Sequence, residues 1–179
     1  MQLTENFSLE EFTKSQTATR NNIDNTPDEK QIINIRNLCV NVLQPVRDYF
    51  LKPVMISSGF RCDLLNQKIG GSPNSQHVAG KAADIEIHDV HNSELSDWIH
   101  SSCSYDQLIL EFYDGDDPNS GWVHVSYNAG NNRYQYKQAS RNEEGKVIYT
   151  LRWWAVAQWG NKYLSLHRKR NGQEKEKLV

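Results

Sequence analysis

Long apolar runs are missing from this 179-residue chain: no stretch approaches the roughly 18 consecutive apolar residues of a membrane span. Cysteine is scarce, and Cys39, Cys62 and Cys103 are widely separated and odd in number, which excludes a disulfide framework and a CxxC metal site. Reduced, buried thiols are the expectation. Charge of one sign is lacking too, with 20 Lys and Arg against 22 Asp and Glu and a pI near 6.3. Without a broad basic field, nucleic acid is not an expected partner. The opening "MQLTENFSLEEF" has neither a basic n-region nor an apolar h-region, so no secretory signal is expected and synthesis is expected in the cytoplasm. No internal repeat is present.

Bulk for packing is there. Five Trp, eight Tyr and five Phe offset a mean hydropathy of −0.74, so the chain is expected to fold as one domain with a single core. In the first third, Ser8 and Glu11 form a capping box, with Phe7 and Phe12 as the hydrophobic staple of a short helix. In "NTPDEKQ", Thr26 is the expected N-cap and Pro27 the first helical residue. Ile32, Ile35, Leu38, Cys39, Val42, Val46, Tyr49 and Phe50 follow at helical spacing, although Pro45 should kink or end that helix.

Thereafter "PVMISSGF", "KAADIEIH", "QLILEF" and "WVHVSY" read as strands, with "DLLNQKIGG" and "NSELSDWIHSS" as helices between them. This mixture predicts an α+β fold with a small, mainly antiparallel sheet and flanking helices. Residues 129–179 read as a hairpin, "RYQYKQAS" and "KVIYTLR" around "RNEEG", and a charged tail packed on the domain formed by 1–128.

The chemistry centres on "SPNSQHVAGKAADIEIHD". His77 lies in a loop rich in small residues, Asp84 opens an alternating strand, and His124 sits in "WVHVSY". Two imidazoles and one carboxylate suit zinc, and three protein ligands leave a fourth tetrahedral position open, the pattern of a catalytic site. Gly80, Ala82 and Ala83 allow the tight turn that brings His77 and Asp84 to one metal. Alternation puts Ile85 and Ile87 on the face opposite Asp84.

Ser75, His77, Gly80, Ala82 and Asp84 spell Ser-x-His-x-x-Gly-x-Ala-x-Asp. Together with "SSGFRCDLLNQKIGG" upstream, "WVHVSY" downstream, and "NFSLEEF" and "LQPVRDYF" near the start, this string resembles the zinc D-alanyl-D-alanine carboxypeptidase family, which includes D,D-dipeptidases and phage L-alanyl-D-glutamate endopeptidases. The resemblance covers roughly residues 5–127 and is nearest to the carboxypeptidase-like phage and bacterial branch. It implies a hedgehog/D,D-peptidase-like fold and a zinc ion held by His77, Asp84 and His124. It also implies that Arg61 grips a substrate carboxylate and that Ser75 hydrogen-bonds the substrate. An Arg61 paired with a surface acid and a Ser75 that only shapes its turn are the rival readings.

Many family members carry a glutamate three residues before the last histidine ligand, where this chain has Gly121. Glu111 is the expected general base, because a carboxylate in the apolar "QLILEF" is costly unless it meets a metal, a proton or a cation. Asp114, Asp116 and Asp117 are the alternatives, in what reads as a solvated turn. His88, His91, His100 and His167 match no ligand position. The implied function is hydrolysis of peptidoglycan stem peptides by a monomeric phage or prophage enzyme that reaches the wall by holin-type release. The rivals are a wall-binding module without catalysis and a virion structural protein.

Overall fold

The computed structural model describes residues 1–117 and 119–152. The expected charged tail and His167 lie outside the described residues. Helices α1 (Leu9–Thr13), α2 (Gln16–Arg20) and α3 (Glu29–Leu38) come first, then a π-helical turn (Cys39–Leu43) and α4 (Gln44–Phe50). The remaining helices are α5 (Asp63–Lys68) and α6 (Asn92–Ser102). The strands are β1 (Met55–Ser58), β2 (Ala82–Glu86), β3 (Gln107–Glu111), β4 (Trp122–Ser126), β5 (Gln135–Arg141) and β6 (Val147–Leu151).

The entry to α1 follows its capping chemistry. The Ser8 N–H donates to Glu11 at 2.7 Å, and Phe7 and Phe12 are both buried. The start of α3 is displaced from Thr26 to Asp28, because Asp28 and Gln31 cap each other's backbone N–H groups at 2.7 and 2.8 Å, while Thr26 bonds back to Asp24. Pro45 does not end the helix. The turn before it widens to π geometry, and Pro45 falls in the first turn of α4, where the missing N–H matters least. The short α2, with one buried residue, Ala18, was not legible as a helix by periodicity.

Among the described residues, these six strands form one sheet in the order β1-β2-β4-β3-β5-β6. All pairings are antiparallel except β3 with β5, so the sheet is mixed. The parallel pair arises where the chain leaving β4 passes the start of β3. There Asp106, 1% exposed, accepts from the Arg133 backbone and guanidinium, and its carbonyl accepts from the Gln135 N–H. One sheet face packs Ala83, Ile85, Leu108, Leu110, Val123, Val125 and Tyr136 against Leu38, Val42, Leu43, Val46, Leu95 and Ile99 of the helical layer. With period-two alternation, the other face carries Asp84, His124 and Glu111.

Candidate metal centre

Register brings the polar residues together. Asp84 on β2 pairs with His124 on β4, His124 pairs with Ile109 on β3, and Glu111 pairs with Trp122, diagonal to His124. His77 arrives from the loop before β2. Helix α3 clamps that loop, with the Gln31 side chain donating to the Val78 carbonyl and Asn34 to that of Ala79. Gly80 sits at φ 68°, and a Cβ there would lie 2.6 Å from the Gln31 carbonyl oxygen. Gly80 is thus required by a close crossing of loop and helix.

His77, Asp84 and His124 are all buried, and they offer three ligand atoms within 4.8 Å of one another. The separations are 3.2 Å between His77 Nε2 and His124 Nδ1, 3.3 Å between His77 Nε2 and Asp84 Oδ1, and 2.9 Å between His124 Nδ1 and Asp84 Oδ1. A tetrahedral ion with bonds of about 2.0–2.1 Å has ligand-to-ligand edges of about 3.3 Å. The donor set therefore fits a tetrahedral metal with only small adjustment.

Protonation agrees. The Gly59 carbonyl accepts from His77 Nδ1–H at 2.7 Å, which leaves Nε2 as a lone pair facing the cluster. Burial lowers the pKa of His77 and favours that neutral ring, against the opposing pull of Asp84. Burial opposes ionisation of Asp84 as well, but His77 and His124 outweigh it and hold the carboxyl well below the usual range. Asp84 divides its oxygens: Oδ1 faces the histidines, and Oδ2 accepts from Arg61 Nη2 at 2.9 Å.

Arg61 was expected to serve a substrate or a surface acid. Its observed acid partner is the buried Asp84, and its Nε donates to Ser58 at 2.9 Å. Arg61 thereby orients the carboxylate while still lining the cleft. Ser75 lines the same cleft, and its Oγ accepts from the His77 N–H at 3.4 Å, the turn-shaping geometry of the rival reading. Glu111 also lines it, and burial raises its pKa, with His124 and Arg61 pulling the other way and Asp84 reinforcing the rise. The cleft measures about 700 Å³.

Asp114, Asp116 and Asp117 do not line that space. The Asp114 carboxylate accepts from the backbones of residues 116 and 117 and from Ser120, as a solvated turn demands. His88 is exposed beside Asp89, His91 meets Tyr113, and His100 meets Tyr105. None of these three joins the cluster.

Gly121 has φ 63°, and a Cβ there would fall 1.8 Å from the Glu111 carbonyl oxygen. No glutamate can occupy this position without rebuilding the β3–β4 connection. We expect Gly121→Ala to destabilise the chain by about 2–4 kcal/mol, from backbone strain plus the clash. Denaturant titration checks this, and a variant as stable as the parent would contradict the geometry.

A family model for Peptidase M15 matches residues 5–126 and so takes in His77, Asp84, Glu111 and His124. The chain belongs to the peptidase M15 family. M15 proteins are D-alanyl-D-alanine carboxypeptidase-like metallopeptidases, a description compatible with the His/Asp/His cluster. No curated protein matches the chain. Among the described residues, no helix is long and apolar enough to cross a membrane. Sequence reading missed Arg133, Arg141 and Tyr149, which line the cleft from beyond the M15 match.

Proposed function

We propose that the chain is a zinc-dependent peptidoglycan peptidase of the D,D-carboxypeptidase or L-alanyl-D-glutamate endopeptidase type, acting as a phage or prophage endolysin. The observation that carries this reading is the convergence of His77 Nε2, Asp84 Oδ1 and His124 Nδ1 in a cleft that also holds Glu111. The chemistry that zinc supplies in such a site is polarisation of a carbonyl and acidification of a water. His77, Asp84 and His124 would hold the ion. Glu111 takes the proton of the attacking water and returns it to the leaving amine, and its burial keeps its pKa closer to that task. Arg61 orients the Asp84 carboxylate through its 2.9 Å bond to Oδ2 and presents its remaining N–H groups to a substrate carboxylate.

On this reading the fold is hedgehog/D,D-peptidase-like. The β5–β6 hairpin belongs to the catalytic unit, since β5 hydrogen-bonds to β3. The enzyme acts as a monomer on wall stem peptides, with neither nucleic acid nor membrane as partner, and reaches the wall by holin-type release.

The test is digestion of purified peptidoglycan and synthetic stem peptides by the zinc-loaded chain, followed by mass spectrometry. Peptide or amino-acid release that chelation stops and zinc restores is expected. No product from either substrate would sink the proposal. Arg61→Lys keeps a cation beside Asp84 but loses the planar two-pronged donor, so the KM of a peptide with a free C-terminus should rise by about tenfold or more. Equal cleavage of free and amidated C-termini by the parent would remove Arg61 from terminal-carboxylate recognition.

A further inference from the structure

Among the described residues, three arginines line the cleft, and two have an acid. Arg61 is paired with Asp84 at 2.9 Å and Arg133 with Asp106 at 2.6 Å. Arg141 has no carboxylate within ion-pair distance among the described residues. Its position is nevertheless built. The guanidinium lies 5.0 Å over the Phe112 ring, and Nη1 donates to the Gly145 carbonyl at 3.0 Å. Phe112 in turn packs on Trp122, with ring centroids 5.3 Å apart.

Phe112 directly follows Glu111 and sits at φ 54°, a left-handed conformation that is unfavourable for a bulky side chain. Its N–H bond to the Ala139 carbonyl, 2.9 Å, fixes that conformation to β5. A strained residue next to Glu111 thus carries an aromatic platform, and the platform carries a cation without an acid.

Sheet order sets the spacing. Arg61 is bonded to β2, and Arg141 ends β5, with β4 and β3 and their His124 and Glu111 between them. Three strand steps of about 4.8 Å make about 14 Å across the sheet, and the register sets Asp84 level with Lys137, four residues or about 13 Å along β5 from Arg141, so the two positions lie about 19 Å apart, the span of about six residues of extended peptide.

We propose that Arg141 is a specificity-determining residue that binds a second carboxylate of the substrate, on the side of the cleaved bond opposite Arg61. The chain thereby selects acidic peptides. This rests on the peptidase reading of the cleft. Arg141 lies beyond residues 5–126, so the recognition comes from the β5–β6 hairpin rather than from the segment that defines the family. A guanidinium stacked on an aromatic ring and lacking an acid keeps its outer N–H groups for a planar anion.

The experiment uses the full zinc-loaded chain and two synthetic heptapeptides that differ only in an internal carboxylate or its carboxamide. The parent should favour the acidic peptide by about tenfold to a hundredfold in KM. Arg141→Ala should erase that preference by raising KM for the acidic peptide with kcat unchanged, and Arg141→Lys should restore part of it. Arg141 is exposed, so the substitution leaves the fold intact. A preference that survives Arg141→Ala, or a parent with none, overturns the proposal. Calorimetric titration of both peptides into Glu111→Gln protein, with and without Arg141→Ala, makes the same comparison without turnover. If the parent cleaves neither peptide and also releases nothing from purified peptidoglycan, the peptidase reading fails. Arg141 is then judged on binding: a carboxylate preference lost in Arg141→Ala supports its role, and no preference rejects it.

Discussion

Glu111→Gln should leave the metal in place and lower turnover of peptidoglycan by about 10²- to 10⁴-fold, the range of a lost acid–base group. The amide keeps the size of the side chain and its place opposite Trp122, so the sheet register should be preserved. What it loses is the ability to take a proton. Burial raises the Glu111 pKa from the ordinary 4.5, so in the parent the base is ionised only above that raised value. The rate should therefore fall as pH drops through it, and this acid limb should be missing from the residual activity of Glu111→Gln. Asn variants of Asp114, Asp116 and Asp117 are the controls, and near-parental rates are expected for each. A dead Asn variant beside an active Glu111→Gln would move the base to the turn.

Replacing any one of His77, Asp84 or His124 by Ala should remove both zinc and activity. A metal that binds only the folded chain adds to folding free energy, by about 4 kcal/mol at a thousandfold excess over its Kd, which is roughly 10 °C in Tm for a domain of this size. The parent should thus melt higher with zinc than with chelator, and the difference should vanish in all three variants. Asp84→Ala should also fall below the metal-free parent, because it leaves the half-buried Arg61 without its acid. His77→Ala loses only the Gly59 contact and the cluster, and should stay nearer to the metal-free parent. A zinc-dependent rise in Tm that persists in His77→Ala would place the ion elsewhere.

Much of this arrangement was legible because it is local. The alternation of "KAADIEIH" and "WVHVSY" fixed which face Asp84 and His124 share, and Gly80 marked a tight turn, although its close crossing with Gln31 of α3 was not legible. An acid inside "QLILEF" was conspicuous for its desolvation cost. Local signals were weakest where two chemistries compete within a few residues, as when Asp28 rather than Thr26 capped α3 through its exchange with Gln31. They failed where contacts are long-range. Nothing in "RYQYKQASR" says that it pairs in parallel with β3, yet that register alone brings Arg141 over Phe112. The bond from Arg61 to Asp84 likewise follows from the fold of β1 onto β2, not from the spacing of the two residues.

The central claim is that two imidazoles and one carboxylate hold a zinc ion in this cleft. Sulfur is a competing donor type: Cys39, Cys62 and Cys103 are free thiols, and burial pushes Cys39 and Cys103 up to about 12, far from the thiolate a metal prefers. X-ray absorption at the zinc edge of the purified chain separates the two directly. Nitrogen and oxygen neighbours at about 2.0–2.1 Å, with the multiple-scattering pattern of two imidazoles, are predicted. A sulfur shell at about 2.3 Å, or a chain that retains no zinc, would contradict the account.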